Sequence, residues 1–295
     1  MSENGLVQKL LFIYTETSLH AGTGSSVSAV DLPIQRERTT QYPLVQGSGV
    51  KGALRSQAQL ADEDKGIIFG PSTDDLRDQK NKNAHAGAVS VGDARLVLFP
   101  VRSLNGVFAY ATSPLALARL ARFNVQIPTF SQPDEGEAFV TESSDLVSKG
   151  RVVLEEYAFN AAKRSEATAA AEWLANYAFP QGDAYAYWRE KVLKSLIVLR
   201  DNDFRDFVVN STEIITRVRL ETATKTVAEG ALWTQEMLPS DALLVSPVMV
   251  RPSRNGRPAS EKEIAGKLVA AFSSGRMQLG GDETTGQGFV ALQWI

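Results

Sequence analysis

Few residues in this chain are equipped for chemistry. The 295 residues include no cysteine and only two histidines, His20 and His85. Thiolate nucleophiles, cysteine metal sites and disulfides are excluded together, and a multi-histidine metal cage lacks ligands. What remains is a polar loop carrying His20 and Asp31, followed by two glycine-rich runs. A loop aspartate beside a loop histidine suits general acid–base work on a phosphodiester, or the aspartate could help to hold a divalent ion. The bland alternative is that Asp31, ahead of Leu32 and Pro33, only shapes a turn. Arg36, Glu37 and Arg38 follow, either as phosphate contacts (the two arginines) or as a solvated charge run.

The first glycine run, Gly47-Ser48-Gly49-Val50-Lys51-Gly52, matches G-x-G-x-x-G at the start of a predicted helix. A dinucleotide site needs a strand before it and an acidic residue closing a second strand about 20 positions on. Here the preceding apolar run is short and broken by Pro43, and the downstream region Gly70 to Asp78 reads as loop. A weaker point survives: amides at a helix start attract phosphate, and Lys51 and Arg55, four apart, share one helix face. A plain solvated face explains the same residues. The second run, Leu279 to Phe289, lacks the Gly-Lys-Ser/Thr ending of a phosphate loop and leads into a strand. Its glycines permit close approach of a ligand or a neighbouring backbone.

The elements that must position these residues are mixed. Val7 to Thr17 reads as a strand, Gly49 to Leu60 as a helix, and Asp62 to Ala86 as a mobile charged loop. Ala88 to Val101 reads as a strand pair bent near Gly92-Asp93. Phe108 to Thr112 is a strand running into a helix with Ser113 as N-cap and Pro114 at the first position. Ser131 to Gly150 reads as an acidic surface excursion. Asn160 to Ala178 and Asp183 to Leu199 read as helices, and Glu213 to Arg219 with Ala231 to Met237 as hairpin arms. Ser260 and Glu263 form a capping box for a helix reaching about Phe272, and Phe289 to Ile295 closes as a strand. The fold expected is α+β, with a ferredoxin-like core and long insertions. Hydrophobic residues make up 43%, charged residues 22%, and the formal net charge is −3. These are globular proportions that do not advertise a nucleic-acid binder, and no stretch reaches the roughly 20 apolar residues of a membrane span. A cytoplasmic protein with no membrane partner is expected.

Several blocks in order carry a resemblance. They are His20-Ala21-Gly22-Thr23-Gly24, Val30 through Arg38, Gly47 through Gly52, Ala86 through Arg95 with Phe99 through Ser103, Glu229-Gly230-Ala231-Leu232-Trp233, and Gly280 through Gly286. Together they resemble the RAMP superfamily, and more narrowly the multicopy backbone subunit of the type III-B (Cmr) CRISPR effector complex. The resemblance implies an RRM-like, ferredoxin-type palm with a β-hairpin thumb. The palm would comprise 1–60, 86–125 and 241–295, with an inserted loop at 61–85, an insertion at 126–210 and the thumb at about 211–240.

It also implies guide CRISPR RNA, target RNA and other Cmr subunits as partners, with several copies stacked as a filament. Cleavage of target RNA at regular intervals would use Asp31 and a divalent ion, Mg2+ or Mn2+, with Asp31 as its candidate ligand. His20 matches a family histidine beside the site. Expected RNA contacts are Gln46, Gly47, Ser48, Gly49, Lys51 and Arg55 at the helix start, Arg36 and Arg38 in the loop, Gly280, Gly281, Thr284, Thr285 and Gly286, and Trp233. The alternative is a guide-binding subunit that serves only as scaffold.

Overall fold

The computed structural model describes residues 5–26, 29–71 and 85–295. Its strands are β1 (Val7–Thr15), β2 (Leu44–Val45), β3 (Val89–Val91), β4 (Ala94–Arg102), β5 (Phe108–Thr112), β6 (Glu137–Val140) and β7 (Arg151–Leu154). They continue as β8 (Tyr157–Lys163), β9 (Leu196–Val198), β10 (Glu213–Leu220), β11 (Val227–Met237), β12 (Leu243–Val250), β13 (Arg276–Gln278) and β14 (Phe289–Trp294). The α-helices described are α1 (Gly47–Gln57), α2 (Asp62–Phe69), α3 (Pro114–Ala121), α4 (Ser165–Trp173), α5 (Ala186–Ser195), α6 (Asp201–Asn210) and α7 (Glu261–Ala270).

One large sheet runs β13-β14-β1-β12-β4-β5-β9-β6-β8-β7. Its centre is the ferredoxin-like order β14-β1-β12-β4, each neighbouring pair antiparallel. α1 lies in the chain between β1 and β4, and α7 between β12 and β14, so two split β-α-β units share one sheet.

The period-2 alternation of β1 decides how the sheet is covered. Leu11 and Ile13 enter the core formed with Val50 and Leu54 of α1 and Ile264 and Leu268 of α7. Leu10, Phe12 and Tyr14 enter the opposite core with Leu117 and Leu120 of α3, Ala170 and Ala171 of α4 and Val192 of α5. The β10–β11 hairpin stands apart as a two-stranded sheet with one register shift between Val218 and Leu220.

Four readings from the sequence are corrected. Asp62 to Phe69 is helix, with Asp62, Glu63 and Asp64 at the positive end of its dipole and Ile67, Ile68 and Phe69 buried. The rest of the expected loop, 72–84, lies outside the described residues. Ser131 to Gly150 is no simple surface excursion, because β6 runs through it and buries Ala138, Phe139 and Val140 between β8 and β9. Asn160 to Ala178 begins as the end of β8, and helix starts only at Ser165, finishing in one π-helical turn over Leu174–Ala178. The helix expected over Asp183 to Leu199 ends at Ser195, where β9 begins, and Asp201–Asn210 is a further helix with Phe204, Phe207 and Val208 on its buried face.

The helix starts behave as their caps dictate. Ser113 accepts the Ala116 amide at 3.3 Å, and Ser260 accepts the Glu263 amide at 3.2 Å. Ser113 is fully buried and also bonds the Tyr42 hydroxyl at 3.2 Å. The variant Ser113→Ala is expected to lose about 1 kcal/mol of stability, read as a lower urea midpoint at unchanged slope. An unchanged midpoint would show that this cap contributes nothing to α3.

Candidate nucleic-acid interface and cleavage site

The site is assembled on one edge of β11. β10 occupies the other edge, from the Glu213–Met237 pair to the Leu220–Val227 pair. Backbone groups of Thr234, Glu236 and Leu238 turn instead toward two loop segments from the N-terminal part of the chain. The Leu32 amide donates to the Thr234 carbonyl at 3.1 Å, and the Glu236 amide donates to the Leu32 carbonyl at 3.0 Å. Farther along, Leu19 and Leu238 exchange both backbone bonds, at 2.8 and 2.9 Å. Both predicted catalytic residues are thereby fastened to the same strand.

Asp31 is exposed, and its Oδ2 accepts from the Thr234 backbone amide at 2.7 Å and the Thr234 hydroxyl at 2.8 Å. Those donors hold its carboxyl below the usual carboxylate range, the backbone bond first and the hydroxyl second. A folded value below the unfolded one means that the stabilisation is complete above the unfolded value and is lost as pH falls through the folded value. Asp31 therefore carries its charge at any neutral pH.

His20 is half-buried, with Nδ1 2.8 Å from the Glu236 carbonyl. A carbonyl only accepts, so Nδ1 carries the proton and Nε2 is left as the exchangeable nitrogen. That nitrogen lies against Gly22, where an added Cβ would come within 2.6 Å of it.

Glu236 is a residue that the sequence reading missed. It is 6% exposed, and its carboxylate receives Arg36 at 2.5 Å, the Ile34 amide at 3.0 Å and the Thr212 hydroxyl at 2.8 Å. Arg36 also donates to the carbonyls of Gln41 and Val208 at 2.8 and 2.9 Å. Its guanidinium is therefore engaged inside the protein, where it braces the loop. Arg38 is exposed and remains open to a phosphate contact.

The glycine-rich loop closes over the same segment. The Gly281 amide donates to the His20 carbonyl at 2.9 Å, and the Gly288 amide to the Ser18 carbonyl at 2.9 Å. Gly280 has φ +83°, and a Cβ there would stand 2.5 Å from the His20 carbonyl oxygen, so close approach requires glycine. Asp282 accepts from Gln235 at 2.5 Å and lies 3.8 Å from Arg217, tying this loop to the opposite face of the hairpin near Trp233. Thr284 and Thr285 sit exposed on a short 3₁₀ turn that ends at Gly286.

The α1 start is joined to the site through Gln35, whose side chain accepts the Gln46 amide at 2.8 Å and donates to the Gly22 carbonyl at 3.1 Å. The Gly47 amide, expected as a phosphate donor, is taken by the Asp93 carboxylate at 2.9 Å. Gly47 itself is a packing glycine, since a Cβ would meet the Val91 carbonyl oxygen at 2.4 Å. Gln46, Ser48 and Gly49 are exposed beside it. Lys51 donates to the Val89 carbonyl at 3.1 Å, and Arg55 donates to the Gly70 carbonyl. Burial lowers the Lys51 proton affinity, and neighbouring Arg55 adds to that.

Among the described residues, no group of three or more acidic or histidine side chains is arranged to hold a metal. Asp31 offers one carboxylate, with Oδ2 already engaged by Thr234. This donor set does not fit a divalent-ion site built by the protein alone.

Replacing Glu236 by Gln leaves Arg36 without its counter-charge in a site where the two side chains are only 8% and 15% exposed. The expected cost is about 3 kcal/mol, measured by chemical denaturation. Stability within experimental error of the parent would show that the pair does not brace the loop.

A family model of the RAMP superfamily matches residues 12–291. The CRISPR system Cmr endoribonuclease Cmr4 of Pyrococcus furiosus is 38% identical, over 96% of this chain and 94% of its own length. The CMR subunit Cmr4 of Saccharolobus solfataricus is 27% identical over 97% and 96%. A crystal structure of oligomeric Cmr4 from Pyrococcus furiosus superposes with a TM-score of 0.72 at 30% identity, covering 97% of each chain. These matches agree with the ferredoxin-like sheet order and the hairpin beside it: the chain belongs to the RAMP superfamily and, within it, to the Cmr4 family.

Proposed function

We propose that this chain is a cytoplasmic backbone subunit of a type III-B Cmr effector complex, that stacked copies of it bind guide CRISPR RNA, and that each copy cuts the paired target RNA at Asp31. The β10–β11 hairpin is assigned as the thumb. The 38% identical relative is named an endoribonuclease, and the superposed relative is oligomeric. The observation that carries the reading is an exposed, ionised carboxylate fixed at the junction of hairpin and palm.

The chemistry divides between RNA and protein. When a nucleotide is unstacked, its 2′-oxygen can line up with the adjacent phosphorus. The 2′-oxygen then bonds to phosphorus while the bond to the 5′-oxygen breaks and that oxygen takes a proton from water, leaving a 2′,3′-cyclic phosphate and a 5′-hydroxyl. Alignment of this kind supplies much of the acceleration. Asp31 orients the 2′-hydroxyl and accepts its proton as the bond forms. Because Thr234 depresses its proton affinity, the carboxylate is stronger at orienting and polarising that hydroxyl than at keeping the proton. His20, with Nδ1 fixed on a carbonyl, presents Nε2 on the same strand edge. The guide is held through phosphates and 2′-hydroxyls, by Arg38, Lys51, Arg55, the exposed α1 start and the Gly280–Gly286 loop, a mode that accepts any guide sequence.

The test is target cleavage by complexes reconstituted with guide RNA, comparing the parent with Asp31→Asn, with EDTA as a parallel arm for ion dependence. Regular cuts are expected to disappear in the variant, by at least about a hundredfold, while target binding persists. Undiminished cutting by the variant would leave this chain as scaffold only.

A further inference from the structure

We propose that Thr234 is the positioning residue for Asp31, setting which carboxylate oxygen meets the RNA and from what direction. The inference rests on the reading that Asp31 carries the cleavage. Its basis is a closed ring of three hydrogen bonds. The Asp31 amide donates to the Thr234 hydroxyl at 3.0 Å, that hydroxyl donates to Asp31 Oδ2 at 2.8 Å, and the Thr234 amide donates to the same Oδ2 at 2.7 Å. The directions are forced. An amide only donates and a carboxylate only accepts, so the hydroxyl proton must point at Oδ2 while its lone pair receives the Asp31 amide.

With Oδ2 engaged by two donors, and no side chain among the described residues bonded to Oδ1, Oδ1 is the oxygen left for the RNA. Such a ring locks an otherwise mobile exposed side chain, and freezing the base before substrate arrives is where orientation gains rate.

The groups around Asp31 leave Thr234 as its dominant control. From β11 comes Glu236, whose carboxylate is turned to Arg36. From the first loop comes His20, fixed on the Glu236 carbonyl. Arg217 of β10 and Asp282 of the glycine-rich loop lie on the opposite face of the hairpin and face each other at 3.8 Å. Arg38 lies farther along Asp31's own segment and is exposed. None of these bonds the Asp31 carboxylate.

Thr234 also belongs to the hairpin strand, so any movement of the hairpin that accompanies RNA binding is passed directly to the carboxylate. Valine at 234 keeps the branched shape and the backbone amide while exchanging only the hydroxyl for a methyl group.

The experiment is single-turnover cleavage against pH by reconstituted complexes carrying Thr234→Val, Thr234→Ser or Asp31→Asn, with target binding measured on the same samples. Thr234→Val is expected to slow cleavage by about tenfold or more, the scale of a lost hydrogen bond to a charged group. Its acid limb should move up toward the ordinary carboxylate value of 3.8, with target affinity unchanged. Thr234→Ser, which restores the hydroxyl, should return to within about twofold of the parent. A Thr234→Val rate and acid limb equal to the parent, with Asp31→Asn inactive, would overturn the positioning role alone. So would a Thr234→Val loss that tracks weaker target binding. Normal cutting by Asp31→Asn would overturn the underlying assignment of Asp31 as well.

Discussion

The outer edge of β11 is the constraint on which the site depends. A hairpin strand paired on one side leaves amides and carbonyls on the other, and unsatisfied backbone groups are costly to bury. Here that edge is covered by residues 19–20 and 31–32, through bonds to Thr234, Glu236 and Leu238. Covering the edge and assembling the site are the same event. The strand supplies rigidity that neither loop has alone, and one element sets both the Asp31 carboxylate and the His20 ring. Glu236 reinforces the arrangement from its side chain, drawing in Arg36, the Ile34 amide and Thr212.

From that edge a continuous set of contacts runs through the palm. The glycine-rich loop presses on the His20 backbone, and its Asp282 returns to the hairpin through Gln235. α1 is held at its start by Gln35 and at its end by Gln57, which exchanges two bonds with Gln278 just ahead of that loop. Helix, loop and hairpin are thus locked to one another by short polar contacts, while the two cores on either side of β1 carry the hydrophobic stabilisation. This arrangement suits a protein that must hold a guide in a fixed geometry whatever its sequence.

Much of this was legible in the sequence where the signal is local. The alternation of β1, the Ser113-Pro114 and Ser260-Glu263 helix starts and the two hairpin arms are set by neighbours in the chain. The motif blocks that carry the family resemblance also brought His20, Asp31 and the Gly280 loop into one reading. What could not be read is the partner across the fold. Thr234 is 203 residues from Asp31, Glu236 is 200 from Arg36, and Asp93 is 46 from the helix start that it caps. Arg36 and Arg38 look alike in sequence, and only the buried carboxylate on β11 separates a brace from an exposed cation. β6 was missed for a related reason: four residues among acidic neighbours show too little period, and their burial comes from β8 and β9.

In the proposed mechanism the RNA supplies its own nucleophile while the protein supplies one oriented carboxylate. The most direct test places a single 2′-deoxy nucleotide at one cleavage position of an otherwise natural target and analyses the product ends. The cut at that position is expected to vanish while the neighbouring cuts persist, each leaving a 2′,3′-cyclic phosphate and a 5′-hydroxyl. A cut that survives the missing 2′-hydroxyl, or products ending in 3′-hydroxyl and 5′-phosphate, would contradict that mechanism.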